Sequence, residues 1–132
     1  MSARLLLVED EPDIRLIARA ALQRAGFDVL TAGDGSEALE LVVGEAPDLV
    51  VLDWMLPVLN GPDTCARLKG DPSTAHIPVI FLTARKNEAD HARCIELGAL
   101  GSIPKPFNPL TLGEQVKSLW RSVLDAPDYG ER

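Results

Sequence analysis

The chain has 132 residues, enough for one domain with a sizeable core, and 46% apolar and 25% charged residues place it among ordinary globular proteins. A formal net charge of −7 argues against a basic nucleic-acid footprint. No apolar run approaches the length of a membrane span, and Met1-Ser2-Ala3-Arg4 leads straight into a strand pattern without a signal peptide, so the expected compartment is the cytoplasm.

Taken in order, the pattern predicts five strand–helix units. The first strand covers about Arg4–Val8. The first helix starts near Pro12, a residue suited to a first turn, and its apolar stripe is Ile14, Ile17, Ala18, Ala21, Leu22 and Ala25, stopped by Gly26. The second strand is Phe27–Thr31, and Asp34 is the expected N-cap of the second helix, with Ala38, Leu39, Leu41 and Val42 apolar. The third strand is Asp48–Leu52. A loop with Pro57 and Asn60-Gly61 leads to a third helix that ends near Lys69. After the turn cluster Gly70-Asp71-Pro72-Ser73, the fourth strand is Ile77–Leu82, and the fourth helix is Asn87–Leu97, stopped by Gly98. The fifth strand is short, about Leu100–Ile103. Asn108 is expected to cap the fifth helix, with Pro109 in its first turn and Val116, Leu119, Trp120 and Val123 on its buried face. Residues 1–125 form the expected domain and 126–132 a polar tail.

Short apolar runs alternating with amphipathic stretches imply a parallel sheet with helices on both faces and right-handed crossovers. Five such units fit the flavodoxin-like strand order 2-1-3-4-5, an α/β three-layer sandwich whose sheet reverses direction between the first and third strands.

Polar residues stand where these runs stop. Glu9 and Asp10 follow Leu5-Leu6-Leu7-Val8, Asp53 follows Leu49-Val50-Val51-Leu52, Thr83 follows Val79-Ile80-Phe81-Leu82, and Lys105 lies just past Ile103. The carboxyl ends of parallel strands form one edge, where ligands bind. Three carboxylates, a hydroxyl and an ammonium therefore converge. At about 5 Å and an effective dielectric near 20, each carboxylate pair repels by roughly 3 kcal/mol, so the cluster calls for protons or a cation. Oxygen donors without Cys or His suit Mg²⁺, or Mn²⁺ in its place. Asp53 is the candidate nucleophile toward phosphorus, forming an acyl phosphate, with Thr83 and Lys105 offered to the phosphoryl oxygens. Taken singly, each has an ordinary explanation: an acidic helix start for Glu9 and Asp10, a loop-capping aspartate, a β-branched strand residue, a solvated lysine. Cys65 and Cys94 lack metal-ligand spacing and read as small hydrophobes in a reducing compartment, and His76 and His91 have no ligand partners at metal spacing.

The stretches Leu6-Leu7-Val8-Glu9-Asp10-Glu11-Pro12, Leu52-Asp53-Trp54-Met55-Leu56-Pro57 with Gly61, Pro78-Val79-Ile80-Phe81-Leu82-Thr83-Ala84 and Lys105-Pro106-Phe107 occur in order and at family-like separations. In these the chain, from about Leu5 to Leu124, resembles the receiver domain of two-component response regulators. The resemblance implies that Asp53 takes a phosphoryl group from a sensor histidine kinase or a phosphotransfer protein. It implies that Asp10, Asp53 and the Met55 carbonyl hold Mg²⁺ directly, with Glu9 acting largely through water. It implies a cis Lys105–Pro106 bond and a protein that catalyses only its own phosphorylation and dephosphorylation. Output is expected through the face of the fourth helix, fifth strand and fifth helix, toward a downstream protein target or a fused output domain, with a phosphorylation-dependent homodimer as a further expectation and no direct contact with nucleic acid or membrane.

The chain departs from the family pattern at one place. Receivers usually carry Tyr or Phe three residues before the lysine, and here that residue is Ser102. The usual threonine-to-aromatic relay cannot operate, so switching is expected to depend on the Thr83–Asn87 loop or on another side chain. Met55 lies two after Asp53 and Arg85 two after Thr83, and the resemblance implies that both flank the path of the hydrolytic water. An apolar Met55 does not orient that water, which predicts a long-lived acyl phosphate. Met55 also stands where dehalogenase-type phosphatases place an acid/base Asp, which argues against a general phosphatase.

Overall fold

The computed structural model describes residues 3–84 and 87–124. The expectations for Met1-Ser2, for Arg85 and for the tail 126–132 lie outside the described residues.

The elements run β1 (Arg4–Val8), α1 (Pro12–Arg24), β2 (Asp28–Ala32), α2 (Gly35–Glu45), β3 (Leu49–Asp53), α3 (Gly61–Gly70), β4 (Val79–Thr83), α4 (Glu88–Glu96), β5 (Gly101–Pro104) and α5 (Leu112–Leu124). The five strands pair in parallel in the order β2-β1-β3-β4-β5, as the pattern predicts. Among the described residues no helix is long and apolar enough to cross a membrane.

Alternation along the strands divides the core into two layers. Leu5, Leu7, Val51, Ile80 and Leu82 face Ala18, Ala21 and Leu22 of α1 and Leu112 and Val116 of α5. Leu6, Val8, Val50, Leu52 and Phe81 face Ala38 and Val42 of α2, Cys65 and Leu68 of α3, and Cys94 of α4. Because both faces are covered, β3 and β4 are buried at every residue, which is why they read as unbroken apolar runs rather than alternating ones.

Strands β2 to β5 begin and end one or two residues later than the apolar runs suggest. Backbone pairing does not depend on side-chain polarity, so in β3 and β4 the polar residue after the run still joins the ladder: Asp53 lies opposite Leu82, and Thr83 opposite Pro104. Asp53 and Thr83 are therefore held by the sheet rather than by mobile loops.

Helix starts follow the capping logic. Asp34, Asn60 and Asn87 each accept, through the side chain, the N–H of the residue three positions on. Asn108 differs from its expected role. Its side chain accepts from Leu110 N–H and its carbonyl from Thr111 and Leu112, which closes a separate turn, and α5 begins only at Leu112. Ile17 also departs from the α1 stripe: it is 48% exposed, because the part of α1 facing the sheet is narrower than its apolar pattern. Gly26 ends α1 at φ 104°, a conformation that glycine adopts without a Cβ clash.

Candidate functional site

Glu9, Asp10 and Asp53 converge at the carboxyl edge of the sheet, beside the point where strand order reverses between β1 and β3. Each offers a carboxylate oxygen, and these oxygens lie within 4.8 Å of one another. Glu9 is completely buried and Asp53 is 3% exposed, whereas Asp10 is exposed and opens the cluster to solvent. Glu9 is fixed on every side. Its N–H donates to Ala32 O at 3.0 Å, its Oε2 accepts from Glu11 N–H at 3.2 Å, and its carbonyl accepts from Arg15 Nη1 at 2.9 Å.

Lys105 reaches the cluster from just past the end of β5. Its Nζ donates to Glu9 Oε1 at 2.7 Å and to Asp53 Oδ2 at 3.2 Å. Its backbone N–H donates to Thr83 O at 2.8 Å, and the Lys105–Pro106 peptide is cis. Thr83 is 2% exposed at the end of β4. Met55 places its side chain in solvent, 72% exposed, while its N–H donates to Asp53 Oδ1 at 3.4 Å. The structure thus brings Glu9, Asp10, Asp53 and Lys105 into one cluster, with Thr83 tied to Lys105 through the backbone and Met55 to Asp53.

Two further residues shape the site. A Cβ on Gly61 would collide with the Asp53 carbonyl, so only glycine lets α3 start this close to the end of β3. Arg15 clamps the Glu9 carbonyl. Gly61 was legible in Asn60-Gly61 as a turn signal. Arg15 carried no signal, being one more charged residue on a helix.

Burial raises the Glu9 carboxyl, but the Lys105 hydrogen bond, the Glu11 N–H and the Lys105 charge outweigh it and hold Glu9 below its usual range. Asp53 behaves in the opposite way. Burial, and then the Glu9 charge, push it up to about 6 against the pull of Lys105. Burial alone would lower Lys105, but its bond to Glu9 and the charges of Asp53 and Glu9 raise it. Three carboxylates against one ammonium leave two net negative charges, and all three acids offer oxygen donors. The donor set, with a solvent-open side at Asp10, can hold a hard divalent cation that keeps part of its water.

The response regulator receiver domain family model matches residues 5–117. The chain belongs to the response regulator receiver family. Receivers act in two-component systems, where phosphorylation switches their output. This receiver is 41% identical over 128 residues to the alkaline phosphatase synthesis transcriptional regulatory protein PhoP of Bacillus subtilis, covering 96% of the chain and 52% of that protein. It is 38% identical over 133 residues to the response regulator PleD of Caulobacter vibrioides, covering all of the chain and 29% of that protein. The chain thus spans about half or less of these relatives. Among solved structures, the chemotaxis response regulator CheY4 of Vibrio cholerae superposes with a TM-score of 0.85 at 30% identity, over 90% of the receiver and 99% of CheY4. A signal receiver domain of a histidine kinase from Syntrophus aciditrophicus gives 0.82 at 32% identity, over 95% of each chain.

Proposed function

We propose that Asp53 is the phosphoacceptor of a Mg²⁺-dependent switch. The observation that carries this reading is the single ammonium of Lys105 on both Glu9 and Asp53 at the ends of β1 and β3. A carboxylate beside a fixed cation supports this reading, because phosphoryl transfer needs positioning and charge neutralisation more than further covalent chemistry. An Asp53 oxygen forms a bond to phosphorus as the phosphorus–nitrogen bond of a phosphohistidine breaks. The bond's electron pair stays on the leaving imidazole, which takes up a proton. Asp10, Asp53 and the Met55 carbonyl would hold Mg²⁺, or Mn²⁺, with Glu9 acting through water; the ion would neutralise charge on the transferring group. Lys105 and Thr83 would then bind the new phosphoryl oxygens, whose added charge competes with Glu9 for the Lys105 ammonium.

The donor on this reading is a sensor histidine kinase or a phosphotransfer protein, in the cytoplasm. The chain is no enzyme beyond its own phosphorylation and dephosphorylation. Output runs through α4, β5 and α5 to a downstream protein or a fused output domain, with a phosphorylation-dependent homodimer as one form of it and no direct contact with nucleic acid.

Incubation with acetyl phosphate and Mg²⁺ tests the reading by intact mass. One added phosphoryl group is expected, absent from Asp53→Asn and from a chelated sample. A folded wild-type protein that gains no mass and binds no beryllofluoride overturns it.

A further inference from the structure

Helix α4 is the shortest of the five, at 9 residues, and Cys94 is its one buried residue. Packing holds a helix in proportion to the apolar area it buries, so α4 is weakly held by its core face. A polar tether supplements that packing. His91 Nδ1 lies 3.2 Å from Ser102 Oγ on β5. His91 and Cys94 are spaced i, i+3 and share one face of α4.

The tether sits on the sheet face that leads to the site. Ser102 pairs with Phe81, and Pro104 with Thr83. Side chains alternate along strands, so Thr83 and Ser102 share the face that α4 covers. Thr83 ends β4, and α4 is the next element of the chain. A shift of Thr83 toward a phosphoryl group on Asp53 would act on the same sheet face to which the His91–Ser102 bond ties α4. The His91 ring also reaches the β5 edge: a Cβ on Gly101 would stand 3.9 Å from His91 Cε1 and 3.2 Å from Leu119 Cδ2 of α5. The exposed His91 thus touches β5 beside α5, on the surface these elements present.

We propose that His91, through its hydrogen bond to Ser102, holds α4 in the resting position, and that phosphorylation of Asp53 breaks this bond, making His91 the positioning residue that reports the site to the α4–β5–α5 surface. This rests on Asp53 being the phosphoacceptor. Beryllofluoride with Mg²⁺, a stable stand-in for the phosphoryl group, separates the two claims. Deleting a tether made only in the resting state shifts the equilibrium toward the switched state by about 3- to 10-fold. His91→Ala and Ser102→Ala are each expected to raise beryllofluoride affinity by about that factor, and the double variant by no more than either single one. In ¹⁵N-histidine spectra of the wild-type protein, the His91 imidazole signal is expected to move when beryllofluoride binds, toward its position in Ser102→Ala. His76, the other of two histidines, serves as the internal reference. Unchanged affinity in all three variants, or a His91 signal that stays put while beryllofluoride binds, overturns the tether alone. Wild-type protein that binds no beryllofluoride overturns the phosphoacceptor reading and the tether with it.

Discussion

Lys105 and Glu9, 96 positions apart in the chain, meet in a 2.7 Å ion pair whose carboxylate is wholly buried. The Lys105 side chain is 18% exposed and its ammonium also bonds Asp53, so one cation serves two buried acids. Removing one partner of such a cluster leaves uncompensated buried charge, which costs far more than the net worth of the pair.

Lys105→Ala in metal-free buffer is therefore expected to lose about 3 kcal/mol of unfolding free energy. Mg²⁺ should return more stability to this variant than to the wild type, because the ion takes over neutralisation of Glu9 and Asp53. In the wild type, Mg²⁺ at a hundredfold excess over Kd should add about 3 kcal/mol, reversed by chelation. Urea titrations with and without Mg²⁺ check both; equal metal responses in the two proteins would argue against a shared electrostatic role.

Asp53 sets a pH dependence. Its folded pKa, about 6, stands above its ordinary value of 3.8, so the folded state binds this proton more tightly than the unfolded state. The stabilising contribution is complete below about pH 4 and is lost as pH rises through 6. At pH 7 the ionised carboxylate is a net cost. Metal-free Asp53→Asn is expected to be about 1–3 kcal/mol more stable than the wild type at pH 7, with the gap closing as pH falls toward 4. A gap that widens on acidification would contradict the assigned sign.

Gly61→Ala places a methyl group against the Asp53 carbonyl and Trp54. Overpacking against backbone is not relieved by a side-chain rotation, so the expected loss is about 2 kcal/mol, with weaker beryllofluoride binding because β3 must shift. Thermal unfolding and the beryllofluoride titration read the two effects separately.

Val58 sits at φ 66°, in the β3–α3 loop, with its side chain 82% exposed. A β-branched residue is strained there and gains little from burial. Val58→Asn is expected to stabilise the protein by about 1 kcal/mol, since asparagine tolerates this region. A lower melting temperature for the variant would show that Val58 makes a contact outweighing the strain.

The five strands, their order and the convergence of Glu9, Asp10, Asp53, Thr83 and Lys105 on one edge follow from the sequence, because apolar runs and chain connectivity constrain a parallel sheet strongly. Periodicity registers which side chains avoid water, and a strand end is defined by where that avoidance stops. The same signal misplaces ends by a residue or two, since Asp53 and Thr83 remain in the backbone ladder despite being polar. It cannot say which apolar face finds a partner, so Ile17 looks buried in the pattern and is half exposed in the fold. Contacts between distant elements were decided only by the tertiary structure. The Arg15 bond to the Glu9 carbonyl, the sharing of Lys105 between two acids and the His91–Ser102 tether depend on the distance between the elements that carry them. That distance is set by the packing of whole helices on the sheet, and no local pattern of residues encodes it.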